Sequence, residues 1–176
     1  MFNVERSIVV LLLLAVMFVG CGHQAPQTPS QRKGQGPQVD SAALALLQLN
    51  QQLAEAADRE LTALAQEQDS AFALYEAGTW MRIMSKGDET TPTPQANEEW
   101  TIRMRVYDLK MQLLEDSEAS YRIGKKELPP AVEENIGELH HGAQARLLAP
   151  WYTAFGLRGT DRIPPYENVI IDIELR

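Results

Sequence analysis

Hydrophobic positions change their spacing several times along this chain, and each spacing predicts a different element. Residues Ile8 to Val19 form an unbroken apolar run, IVVLLLLAVMFV, flanked by Arg6. A bilayer-spanning helix needs about 20 apolar residues, whereas the core of a secretory leader needs roughly 7–15, so the run reads as a leader. From Gly22 to Gln38 the chain carries three Pro, three Gly and no large apolar residue. Such a stretch cannot bury a core and is expected to be a solvated, extended tether. Asp40-Ser41 then read as an N-cap. Leu46, Leu49, Leu53, Ala56, Ala57, Leu61 and Leu64 follow at spacings of three and four, which predicts an amphipathic helix reaching about Ala71–Tyr75, stopped by Gly78-Thr79. Its alanine-rich stripe needs a partner surface. Two are open to it: the body of its own domain, or the same helix in a second copy, which would make a homodimer through residues 42–71.

Beyond Gly78 the period shortens to two. Trp80-Met81-Arg82-Ile83 reads as a short strand, and a polar, turn-rich stretch, SKGDETTPTPQANEE, follows it. Trp100, Ile102, Met104 and Val106 then alternate with Thr101, Arg103 and Arg105, as in a half-buried strand. Leu109–Leu114 is placed as a hairpin return bending at Lys110-Met111-Gln112. Val132, Ile136 and Leu139 share one face of a helix expected over Ala131–Leu139. Ala145, Leu147 and Ala149 alternate into another strand that Pro150 ends, and the β-branched run from Asn168 to Leu175 is a strand by composition. Antiparallel strands with a short helix near the middle predict an α+β domain, a sheet wrapped on a helix.

Composition sharpens this in three ways. The chain has 176 residues, which suits one domain with attachments. Its 24 acidic against 16 basic side chains leave a net charge of −8, so a nucleic-acid partner, which needs a basic face, is not expected. One cysteine rules out an intrachain disulfide and a multi-cysteine zinc site. The adjacent pair His140-His141 cannot share a helix face as chelating histidines would, so a solvated turn is expected there. No cofactor or metal is called for.

That cysteine acquires a role from its position. Phe18-Val19-Gly20-Cys21 resembles the bacterial lipobox, with Phe18 in place of the usual leucine. The resemblance implies cleavage before Cys21, a diacylglycerol on its sulfur and a membrane anchor. An ordinary leader with a chance cysteine is the alternative. The expected layout is a signal peptide over 1–20, lipidated cysteine and tether over 21–38, the amphipathic helix over 39–77, and the strand-rich domain over 78–176.

The C-terminal part of the chain carries a more specific resemblance. Ile123-Gly124-Lys125-Lys126-Glu127-Leu128, the short helix, Gly142-Ala143-Gln144-Ala145-Arg146-Leu147, Ala154-Phe155-Gly156, Ile163-Pro164-Pro165 and Ile171-Asp172-Ile173-Glu174-Leu175 occur in that order. Together they resemble the FKBP-type peptidyl-prolyl cis-trans isomerase domain, best over 114–176 and less closely back to Gly78. With the lipobox and preceding helix, the chain is similar to lipid-anchored envelope FKBPs of Bacteroidetes, including gliding-motility-associated ones. The resemblance implies an isomerase acting on proline-containing exported proteins in the bacterial cell envelope, on the periplasmic side of the outer membrane. The alternative is an FKBP-like binding module with weak or no catalysis, serving as a chaperone or assembly subunit.

The same resemblance implies the site residues. Asp116 stands where the family's pocket aspartate follows a phenylalanine, here Glu115. Phe155 replaces the tyrosine of the AYG motif, and these two are the implied catalytic residues. Tyr121, Leu128, Val132, Ile163 and Ile171 are the implied substrate-binding residues, Val132 in place of a tryptophan floor and Ile171 in place of a phenylalanine. Pro129 replaces an isoleucine whose backbone amide binds the ligand carbonyl, and proline has no N–H to donate. Trp151-Tyr152 is open to two readings, a protein-binding pair at the rim or plain packing.

Overall fold

The computed structural model describes residues 40–68 and 71–176, so the expected leader (1–20), Cys21 and the tether (21–38) lie outside the described residues. Helix α1 spans Ser41–Gln68. The Asp40 carboxylate caps it by accepting the Ala42 N–H at 3.0 Å, satisfying one of the orphan donors of the first turn. The helix is shorter than its sequence spacing predicts. Ala73–Leu74, within the expected final turn, instead form strand β1 and pair with Trp80 and Met81.

Five further strands follow: β2 (Trp80–Ser85), β3 (Glu99–Tyr107), β4 (Leu113–Arg122), β5 (Gln144–Ala149) and β6 (Val169–Leu175). They make one sheet in the order β1-β2-β5-β6-β3-β4, with every neighbouring pair antiparallel. The architecture is α+β, as the alternation of the sequence predicts.

The register turns that alternation into two faces. On the inner face, Met81, Leu147, Ile171, Val106 and Glu115 form one cross-sheet row, and Ala145, Ile173, Met104 and Ser117 another. The apolar members are buried and continue into Ile102, Leu175 and Val169, forming the main core. The outer face divides in two. Trp80, Leu148, Ile170 and Tyr107 make an apolar row, on which Leu61, Ala65 and Phe72 pack. Burying a leucine such as Leu61, with none of its surface exposed, is worth about 1.5–3 kcal/mol. The second half of α1 therefore packs on its own domain.

The next outer row, Arg82, Arg146, Asp172, Arg105 and Asp116, is charged. Asp172 is buried, and the Arg146 guanidinium donates to both its oxygens at 2.6 and 2.8 Å. The fork geometry satisfies a carboxylate that would be costly to bury alone.

The connection after β4 differs from the expected helix. Only Pro130–Glu133 are α-helical (α2), and a separate 3₁₀ turn covers Ile136–Glu138. Asn135, at φ −111°, leaves the helical path, and its side-chain amide donates to the Ala131 carbonyl at 2.8 Å. That side-chain bond takes the acceptor a continuing helix would use for a backbone N–H.

Candidate functional site

The inner sheet face, α2 and the segment from Pro150 to Tyr166 enclose the core from which a site must be built. Pro150 ends β5, and a series of turns follows: the Gly156 N–H donates to the Trp151 carbonyl at 2.7 Å, and the Gly159 N–H to the Phe155 carbonyl at 3.2 Å. Gly159 sits at φ +62°, and a side chain there would collide with the Ile163 and Pro164 carbonyl groups, so this position requires glycine. These turns hold Phe155 half-buried against the core and carry Ile163 into it. The Ala131 N–H donates to the Thr153 carbonyl at 2.9 Å, tying α2 to the same segment.

The structure brings six of the sequence-derived residues to this one cluster. Val132, Ile163 and Ile171 have no exposed surface, and Leu128 is 5 % exposed. Tyr121 and Phe155 pack half-buried on its edge, together with Trp100, Leu114 and Tyr75. Four of the six are thus buried in the core, and Tyr121 and Phe155 belong to the half-buried surface of the same cluster.

Asp116 is not brought to that surface. It lies opposite Arg105 in the charged outer row, and the Arg103 guanidinium donates to its two oxygens at 3.2 and 2.9 Å. That bond holds the Asp116 carboxyl below the usual carboxylate range. The cause is a β-bulge: Val106 pairs with Glu115 but Tyr107 pairs with Leu113, so Leu114 is an extra residue and the alternation shifts by one. The carboxylate on the inner row is Glu115, half-buried opposite Val106. Ser117, two residues on, also belongs to the inner face, and its buried hydroxyl has no hydrogen-bond partner. Neither residue stands out from the sequence without the bulge.

The entry to α2 lacks free backbone donors. Pro129 and Pro130 have no N–H, and the Ala131 N–H is taken by Thr153. The Val132 and Glu133 N–H groups donate to the Pro129 carbonyl at 2.9 and 3.0 Å, and that of Glu134 to the Pro130 carbonyl at 3.0 Å. The Glu133 carboxylate accepts the Gly124 N–H, closing the turn that leads into the helix.

Trp151 and Tyr152 lie beneath α1. Trp151 is 7 % exposed and packs against Tyr166, the ring centroids 4.9 Å apart and the planes tilted by 56°. The Tyr152 hydroxyl donates to Asp58 on α1, and burial together with that carboxylate raises its pKa well above the ordinary phenol value. The pair is packing between helix and domain. His140 Nδ1 is 2.7 Å from the Thr91 carbonyl, and His141 is exposed beside it.

The residues gathered here are apolar and aromatic, and Glu115 and Ser117 belong to the same inner sheet face. Such a set has the chemistry to hold a hydrophobic or cyclic side chain.

Comparison with known proteins agrees with this geometry. Residues 92–176 match the model of the FKBP-type peptidyl-prolyl cis-trans isomerase family. Among solved structures, the chain is similar to a peptidyl-prolyl cis-trans isomerase from Pseudomonas syringae pv. tomato, with a TM-score of 0.59 and 22 % identity. That alignment covers 71 % of this chain and 92 % of the other. It is also similar to FkpA from Escherichia coli, with a TM-score of 0.59 and 18 % identity over 77 % of this chain and 63 % of that one. Among curated sequences nothing matches. The fold is that of an FKBP.

Proposed function

We propose that this chain is a peptidyl-prolyl cis-trans isomerase acting on proline-containing exported proteins, held in the bacterial cell envelope by a lipid on Cys21. The observation that carries the enzymatic part is the FKBP-type match over 92–176, joined to a half-buried Phe155 on a fully buried apolar floor. The leader pattern before Cys21 supports the envelope part.

The chemistry asks little of side-chain acids or bases. Rotation about an Xaa–Pro amide faces a barrier of about 18–20 kcal/mol and takes tens to hundreds of seconds unaided. The planar amide is more dipolar than its twisted transition state, so a dry apolar surface disfavours the former relative to the latter. In this reading Phe155 and Tyr121 cover the prolyl ring, while Leu128, Val132, Ile163 and Ile171 exclude water from behind. Glu115, half-buried on the same sheet face, is the polar group left to orient the substrate backbone.

A 10⁴-fold acceleration would need about 5.5 kcal/mol of differential binding. The missing donor at Pro129 removes a hydrogen bond worth about 0.5–1.5 kcal/mol, so turnover is expected to fall several-fold short of a site that has it. Isomerisation of a short Xaa–Pro peptide, followed with and without the protein, is the test. Acceleration that disappears in Phe155→Ala supports the proposal. No rate above background from folded protein would overturn it and leave a binding module. Metabolic labelling with palmitate tests the anchor separately: the label should be lost in Cys21→Ser, and its persistence would remove the anchor.

A further inference from the structure

We infer that Glu115 makes this site select prolines flanked by a cationic side chain, a substrate lysine or arginine pairing with its carboxylate; the role rests on the isomerase reading above. The strands of the sheet carry the carboxylates Glu99, Glu115, Asp116, Glu118, Asp172 and Glu174. All but one face an arginine of this chain. Arg103 holds Asp116 at 2.9 Å, Arg146 holds Asp172 at 2.6 Å, Arg176 holds Glu118 and Glu174 at 2.9 and 3.1 Å, and Arg122 lies 3.8 Å from Glu99. Glu115 is the exception: among the described residues its side chain has neither an ion pair nor a hydrogen bond.

The face it occupies explains this. Arg103 and Arg105 of β3 alternate with Met104 and Val106, so both arginines belong to the outer face, with Asp116. The bulge at Leu114 puts Glu115 on the other side, in the row of Met81, Leu147, Ile171 and Val106, all of them buried and apolar. A half-buried carboxylate among apolar neighbours loses hydration without gaining a counter-ion, an arrangement that costs stability unless another interaction offsets it. Glu115 shares its row with Ile171 and its strand face with Tyr121, two of the residues given to the substrate above. A cation beside the bound proline therefore supplies the partner that the chain itself withholds. Such a charge-assisted bond is stronger than a neutral one, and at a half-buried position it is screened less than on open surface. A substrate carboxylate in the same place would be repelled. The net charge of −8 favours encounter with a cationic peptide in the same sense.

Peptides that differ only in the residue before or after the proline, as Arg, Leu or Glu, test this by exchange spectroscopy with the full chain. At one or both positions Arg should exceed Leu by about 3- to 10-fold in kcat/KM, with Glu below Leu. The gain should lie mainly in KM, because the charge is felt alike before and during rotation. It should shrink between ~20 mM and ~500 mM salt. In Glu115→Gln the Arg-to-Leu ratio should fall to about one whatever the absolute rate. In Glu115→Lys the Glu peptide should overtake the Arg peptide, and Asp116→Asn should keep the parental ratio. Fluorescence anisotropy of the same labelled peptides reads preference without catalysis. A folded chain that accelerates none of them overturns the isomerase reading, and the ratio of Kd values still decides the role of Glu115. No difference between Arg and Leu peptides in either rate or Kd would overturn that role, as would a preference that Glu115→Gln leaves unchanged.

Discussion

Replacing Pro129 with isoleucine would restore the backbone donor that the resemblance implies at this position. Every amide from 129 to 134 is either missing or already bonded within the fold: Pro129 and Pro130 have none, Ala131 donates to Thr153, and the next three donate to Pro129 and Pro130. A ligand carbonyl arriving at α2 therefore meets no free donor. Pro129 has φ −55° and ψ 140°, values isoleucine can adopt, so the substitution adds one N–H without forcing the backbone. One hydrogen bond contributes about 0.5–1.5 kcal/mol net, which predicts a roughly 2- to 13-fold rise in kcat/KM for an Xaa–Pro peptide. The same change frees the unfolded chain and should lower stability by about 0.4–1 kcal/mol, a fall of a few degrees in Tm. The assay is peptide isomerisation beside a thermal melt. An unchanged kcat/KM in a variant that shows the small stability loss would refute the reasoning, because the donor would then be present and unused.

Three further outcomes follow from the packing and electrostatics. Leu61→Ala should cost about 2–5 kcal/mol, because the side chain is fully buried between α1 and the sheet; Leu46→Ala, on the same helix but exposed, should cost less than about 0.5 kcal/mol, and chemical denaturation compares the two. Tyr152 has a folded pKa raised by burial and Asp58, so its contribution is complete below the ordinary phenol pKa and is lost as pH rises from there toward the folded value. Stability should decline above about pH 10, and less steeply in Tyr152→Phe, as pH-dependent unfolding would show. Val132→Trp should destabilise by about 1–3 kcal/mol through overpacking rather than rebuild a pocket floor, since Val132 has no exposed surface; a melt at or above the parent's would contradict that.

The fold was largely legible in the sequence because period-two alternation records which face of a sheet is wet. Ile102, Met104 and Val106 are buried and Arg103 and Arg105 sit on the outer face, as the pattern requires. Legibility failed where local geometry breaks the period. The extra residue at Leu114 puts Glu115 on the inner face and Asp116 on the outer one, whereas Asp116 follows from motif position alone, which does not say which face a residue takes. The expected helix over Ala131–Leu139 shared one apolar face because the 3₁₀ turn keeps Ile136 and Leu139 pointing inward after the α-helix has ended. Phe155 and Leu128 are named through motif order, and the structure places both at one core cluster, whereas Ser117 carries no signal until its hydroxyl is seen buried and unpartnered. The helix stripe was read correctly as apolar, but only the docked structure shows where the domain stops using it.

The central claim is that an apolar surface edged by Phe155 accelerates rotation about a prolyl bond, with the inner-face carboxylate at Glu115 and not at Asp116. The most direct measurement is the rate of cis-trans interconversion of an Xaa–Pro peptide, by exchange spectroscopy, in the presence of the full chain and two variants. Catalysis by the parent, its loss in Phe155→Ala and parental rates in Asp116→Asn, whose carboxylate is engaged by Arg103 on the opposite face, are the outcome that this site assignment requires. Interconversion no faster than in buffer, or a rate that Asp116→Asn abolishes while Phe155→Ala leaves it intact, would contradict it.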